Sequence, residues 1–185
     1  MGPRGSARDA SRRSDSWPRS RGCGSPLDYS AMDTLEISAA VRVLSDKEAI
    51  RDLARRYAHH VWQLEVGQLV DLFADDGEMD TSLEAPIRGR EALGAAFQRL
   101  VDDDQADLQP FVHNHVIDLD GDRASGTAYV DLRSVRDGRS MLGSGYYQDR
   151  YVRQGEAWKF QSRSLTLRFF VPFLDGWAEA KESVD

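Results

Sequence analysis

Two rhythms of apolar and polar residues divide this chain. From Ser45 to about Val61, Ile50, Leu53, Tyr57 and Val61 recur at spacings of three and four, with Ala54 and Ala58 widening the stripe. Lys47, Arg51, Asp52, Arg55 and Arg56 take the other side. This is the period of a helix with one buried face. Ser45-Asp46-Lys47-Glu48 has the form of a capping box, which predicts the helix start there. His60, three residues after Tyr57, flanks the buried stripe, and His59 lies closer to solvent. A second short helix is predicted over 66–73, with Leu69, Leu72 and Phe73 inward, and Asp75-Asp76-Gly77 breaks it. A short strand is expected over 78–83. Gly89 then precedes a third helix over about 90–101, with Leu93, Ala96, Phe97 and Leu100 as its apolar face.

Beyond residue 110 the period falls to two. Strands are predicted at about 111–119, 124–135, 141–153 and 157–171. They are separated by Asp120-Gly121-Asp122, Arg136-Asp137-Gly138-Arg139 and Gln154-Gly155-Glu156, which are hairpin signals. Runs this long exceed the usual strand of about five or six residues, and long strands in a small sheet twist and curl. Gly143 and Gly145 mark an expected bulge or bend. Pro172 ends the last strand. The expected fold class is therefore α+β: about three N-terminal helices packed over a curved antiparallel sheet, enclosing a pocket. The expected organisation is a largely disordered extension over 1–44, the folded domain over 45–172, and a tail over 173–185.

Charge sharpens that division. Residues 1–31 carry six arginines against three aspartates, a net of +3, while the chain as a whole is −7, so the rest carries −10. The basic segment is rich in Ser, Gly and Pro and poor in aliphatic side chains, which is the composition of a disordered segment. It lacks the apolar stretch of a secretory signal. An acidic body argues against nucleic acid as a partner, because phosphate binding wants a basic face. No run approaches the roughly 18 apolar residues of a membrane span. With Cys23 as the single cysteine, no intrachain disulfide can form, which fits a reducing cytoplasm. The expectation is a cytoplasmic protein with neither nucleic-acid nor membrane partners.

The candidate chemistry sits on the long helix and the strands. His113 and His115, two apart in one strand, are expected on the same face. A pair of histidines lacks the third ligand a metal site needs, and no metal is assigned. His113 reads either as an active-site residue or as a structural one. Tyr57 lies on the inward helix stripe, where its hydroxyl either meets a structural partner or donates to a substrate oxygen. Tyr147, Asp149 and Tyr151 share one strand face. Arg163 is expected on the face opposite Trp158, Phe160, Ser162 and Ser164, and in a suitable register it pairs with Asp149 across the hairpin. Asp131 alternates with Tyr129 and Arg133 and is a further cavity candidate.

Ordered along the chain, these pieces resemble a known family. Asp46 to Ala58 is similar to the first helix of the SnoaL-like proteins of the nuclear-transport-factor-2-like superfamily. Leu72-Phe73-Ala74-Asp75-Asp76-Gly77 resembles their next segment, and Gly89-Arg90-Glu91-Ala92-Leu93 the entry to their third helix. His113, then Asp118 to Ala124, Gly145 to Arg153, and Trp158-Lys159-Phe160 with Arg163 complete a match over about 44–170. The resemblance implies a cone-shaped α+β fold, a homodimer or homotrimer, and a small-molecule pocket. It also implies acid–base chemistry without a cofactor: a dehydratase-like lyase acting on a hydrophobic cyclic or aromatic molecule. An isomerase or cyclase in the same pocket is one alternative, and a non-catalytic binding or accessory subunit is another. By this resemblance His113 is the strand base and Tyr57 the helix tyrosine, with His60, Asp131 and Asp149 as reserve acids or bases. Val61, Trp62, Phe73 and Tyr147 would line the pocket. The family's dyad aspartate near the helix end is replaced by Trp62.

Overall fold

The computed structural model describes residues 33–81, 85–102, 107–136 and 138–174. The expected disordered segment over 1–31, Leu83 at the end of the first expected strand, and the tail beyond 174 lie outside these residues. Helix α1 spans Thr34–Gln63, α2 Val66–Asp71 and α3 Arg90–Asp102. The strands are β1 Phe73–Asp80, β2 Ile87–Arg88, β3 Gln109–Asp120, β4 Arg123–Arg136, β5 Arg139–Gln154 and β6 Ala157–Pro172. They form one curved, unclosed sheet in the order β2-β1-β6-β5-β4-β3, with the helices against its concave face. Every pairing is antiparallel except β1 with β6, which is parallel.

The α+β cone, its helices and its four long strands are as the sequence predicts. The ends and one element type differ. Helix α1 begins at Thr34, eleven residues before the capping box, with the Asp33 carboxylate accepting from the Leu35 amide. The box lies mid-helix: its Glu48 pairs with Arg51 and Arg55 along α1, and its Asp46 reaches the sheet. Asp46 pairs with Arg153 of β5 at 2.5 Å and accepts from the Trp158 indole of β6 at 3.2 Å, while the Arg153 guanidinium stacks on Trp158. A motif that would start a helix in isolation instead ties the helix to a hairpin. Residues 34–44, expected in the extension, are thus helical. The segment expected as helix over 66–73 ends at Asp71, and Phe73 opens β1. Phe73 pairs with Phe160, and the Phe160 amide donates to Leu72 O, so sheet pairing overrides the local helical pattern.

The core lies between α1, α3 and the sheet. Ile50, Leu53, Tyr57, Leu69, Phe73, Leu93, Phe97, Ile117, Val130, Leu132 and Phe160 form its buried centre. Leu100, expected on the buried face of α3, is half exposed. Two-residue turns join the long strands. At the β3–β4 turn Gly121 takes φ +59, a conformation that favours glycine. At Gly145 the reason is space: a Cβ there would sit 2.1 Å from Thr166 O on β6, beside a register shift. We expect Gly145→Ala to destabilise the fold by about 1–3 kcal/mol through overpacking, read as a lower urea midpoint with an unchanged m-value.

Candidate active site

Strand parity decides which side chains enter the cone. Along β4 the buried residues Ala124, Ala128, Val130 and Leu132 mark the concave face. Directly opposed residues of an antiparallel pair share a face. His115 opposes Ala128, and Val112 opposes Val130, so both point inward. Three steps on β3 are thus matched by two on β4, and a bulge at His113-Asn114 absorbs the extra residue. The bulge reverses the parity of His113. Phe111 and Asp131 oppose each other on the outer face, and His113 bonds Asp131 there, Nε2 to Oδ2 at 3.0 Å. His113 and Asp131 are each about half exposed. The expectation that His113 and His115 share a face is corrected.

A second irregularity does the same on β6. Arg150 opposes Ser162 and Tyr151 opposes Phe160, leaving Gln161 extra. Trp158, Phe160, Arg163 and Leu165 are therefore all buried inward, while Ser162 and Ser164 face outward. The expected opposition of Arg163 to Phe160 is corrected. The anticipated register with Asp149 is present: Asp149 and Arg163 are Cα partners.

These two shifts assemble one polar line inside the cone. Arg163 donates from Nε to Asp149 Oδ1 at 2.9 Å and from a terminal nitrogen to Asp149 Oδ2 at 2.8 Å. Both side chains are fully buried. The Tyr151 hydroxyl donates to Asp149 Oδ2 at 2.8 Å, and His115 Nε2 lies 2.9 Å from the same hydroxyl. His115 is on β3 and Tyr151 on β5, so their contact spans β4. Small residues make this possible. A Cβ on Gly126 would lie 3.2 Å from His115 Nε2 and 3.3 Å from the Tyr151 ring, with Ala124 and Ala128 on either side.

Proton positions follow from counting donors. The Tyr151 proton is committed to Asp149, so His115 Nε2 must carry a proton to bond the phenolic oxygen. The neutral ring then has its lone pair on Nδ1. Burial pushes the His115 pKa down, with Arg163, Arg51 and Arg55 assisting against the opposing pull of Asp149, to about 4. His115 is thus neutral at pH 7. Burial raises the Tyr151 and Tyr147 phenols well above their ordinary range, and the Asp149 charge adds to this. Burial alone would lower the Arg163 pKa, but the Asp149 ion pair outweighs it and the net shift is upward.

The remaining candidates separate into three places. Tyr57 is buried, with edge contacts to Phe73, Phe97, Tyr147 and Phe160. The Arg163 guanidinium lies 4.4 Å from its ring centre, 4.0 Å from that of Tyr147 and 4.1 Å from that of Phe160. Tyr57, Tyr147, Phe73 and Asp149 are therefore together, and His113 and Asp131 are not with them. Trp62 is 42% exposed; its indole donates to Pro110 O and its ring meets Phe111, so it clasps the sheet edge. Val61 packs at the core's edge. His60 bonds Glu65 at the end of α1. The residue that strict alternation undervalued is His115. Its signal was the run Ala124-Ser125-Gly126-Thr127-Ala128, which leaves room across one strand.

Residues 42–164 match the family model of the SnoaL-like domain. No curated protein matches the sequence. Among solved structures, a provisionally named aromatic ring hydroxylase from Novosphingobium aromaticivorans is 26% identical, with a TM-score of 0.65, over 71% of this chain and 96% of that one. A hexachlorocyclohexane dehydrochlorinase, LinA-type3, from Novosphingobium barchaimii is 22% identical (TM-score 0.67; 72% and 94% covered). A provisionally named scytalone dehydratase from N. aromaticivorans is 20% identical (TM-score 0.64; 70% and 89% covered).

Removing one member of the buried ion pair strands the other. Asp149→Ala is expected to cost about 3–5 kcal/mol in chemical denaturation. Acidification tests His115 separately. Its folded pKa lies below its ordinary value of 6.5. The unfolded chain therefore binds its proton first as pH falls. The stability this group contributes is complete above about pH 6.5 and is lost as pH falls toward 4. His115→Gln should flatten that part of the urea-midpoint profile.

Proposed function

The chain belongs to the SnoaL-like domain family, and from that premise we propose that it is a dehydratase-like lyase with His115 as its base. The observation that carries this reading is the continuous line from half-buried His115 through Tyr151 and Asp149 to Arg163. A neutral imidazole whose Nε2 proton is held in place offers Nδ1 to take a proton from a substrate carbon. The C–H electron pair becomes the new double bond and the leaving group departs with its own pair. A departing hydroxide takes the proton back and leaves as water. The cation formed on His115 is stabilised through the Tyr151 hydroxyl by Asp149. Tyr57 supplies a donor from the helix side, its phenol kept protonated by burial, the largest influence on its raised pKa. The aromatic interior and the cyclic substrate named for the dehydrochlorinase neighbour favour a hydrophobic cyclic or aromatic molecule.

One observation favours a second reading, a binding or accessory subunit without chemistry. The Arg163 guanidinium occupies the interior against three rings, where the first reading needs room for a substrate. Turnover separates the two. A panel of cyclic alcohols and halides is incubated with the protein, and product mass is measured. Loss of water or of hydrogen halide supports the lyase, unchanged mass supports an isomerase, and binding without turnover supports the second reading. On a substrate that is turned over, His115→Ala should lower kcat/KM by about 10²–10⁴-fold. His113→Ala should leave it within about twofold, since that side chain lies on the outer face. An equal loss in both variants would sink the assignment of His115.

A further inference from the structure

The end of α1 carries a donor cluster that the proposed reaction does not use. His60 lies in its last turn with His59 just before it, and Glu65 follows the left-handed Leu64, which has φ 57. That turn folds the chain back so that one ligand atom each from His59, His60 and Glu65 lie within 4.8 Å of one another. The backbone of the turn is fixed. The Glu65 amide donates to His60 O at 3.0 Å and the Leu64 amide to Val61 O at 3.2 Å.

We propose that His59, His60 and Glu65 bind one divalent transition-metal ion of the zinc class, clasping the end of α1 to the start of α2. Two imidazoles and a carboxylate make the mixed N/O donor set that zinc accepts, with water completing the shell. Metal–ligand bonds of about 2.0–2.2 Å in a tetrahedron put ligand atoms roughly 3.3 Å apart. The pair now closest, His60 Nδ1 and Glu65 Oε2 at 2.6 Å, must open slightly, and the widest separation must close by about 1.5 Å. Both changes lie within side-chain rotation, because His59 and Glu65 are exposed. The site has a field that suits a cation: it stands at a helix C-terminus, where the macrodipole is negative.

Isothermal titration of the full chain, freed of metal by a chelator, with zinc chloride tests this. One ion per chain is expected, with at least tenfold weaker binding in His59→Ala and in Glu65→Gln, and unchanged binding in His113→Ala. Cobalt(II) should give the intense visible bands of a four-coordinate ion. NMR gives a readout that needs no variant: zinc should shift the ring signals of His59 and His60 and leave those of His113 and His115 in place. Absence of zinc binding, or binding that survives both ligand substitutions, or ring shifts confined to other histidines, would each overturn the proposal.

Discussion

The cone is organised around one charge pair placed where water cannot reach it. Arg163 and Asp149 are fully buried at the meeting of β5 and β6, joined by two hydrogen bonds. Neither charge is tolerable alone in that place, so each fixes the other. The consequences spread outward. The guanidinium face gives three aromatic rings from helix and sheet a common surface. The remaining lone pair of Asp149 Oδ2 orients Tyr151, and Tyr151 orients His115 two strands away. An apolar core of the same volume would pack as well, but it would not dictate the tautomer of a histidine.

Much of this was legible in the chain. The three-four spacing from Ile50 to Val61 gave the helix face, and the Asp-Gly and Gly-Glu turns gave the hairpins. Tyr147, Asp149 and Tyr151 were correctly placed on one face because β5 keeps unbroken alternation between them. The errors cluster at bulges. One extra residue at His113-Asn114 and one at Gln161 each reverse the parity of what lies beyond. A histidine expected inside is therefore outside, and an arginine expected outside is at the centre. No local propensity announces such a bulge; it is set by what the neighbouring strand must meet. The helix start differs for another reason. Ser45 and Glu48 have the spacing of a capping box, but Asp33 caps the helix upstream and Glu48 pairs with Arg51 and Arg55 along the helix.

The long α1 connects these regions. Its middle supplies Tyr57 to the core, its Asp46 anchors the β5–β6 hairpin, and its end bears Trp62 on the sheet edge and the two histidines that meet Glu65 beyond it. Its first turns stand apart, with Leu35, Val41 and Leu44 mostly exposed. One element thus touches the core, the β5–β6 hairpin and the sheet edge. No helix among the described residues is long and apolar enough to cross a membrane.

The parallel pairing of β1 with β6 has a consequence for how the molecule comes into being. Phe73 must wait for Phe160, and Met79 for Arg163, some 85 residues later in synthesis. A chain emerging from the ribosome can build its helices and the β3–β4 hairpin early. It cannot complete its sheet until the last strand is free. Until then β1 presents a bare edge and an apolar flank, a nascent state that invites chaperones or wrong neighbours. Loss of even the final strand by premature termination would therefore leave the first strand without its partner, although every residue of that first strand were intact.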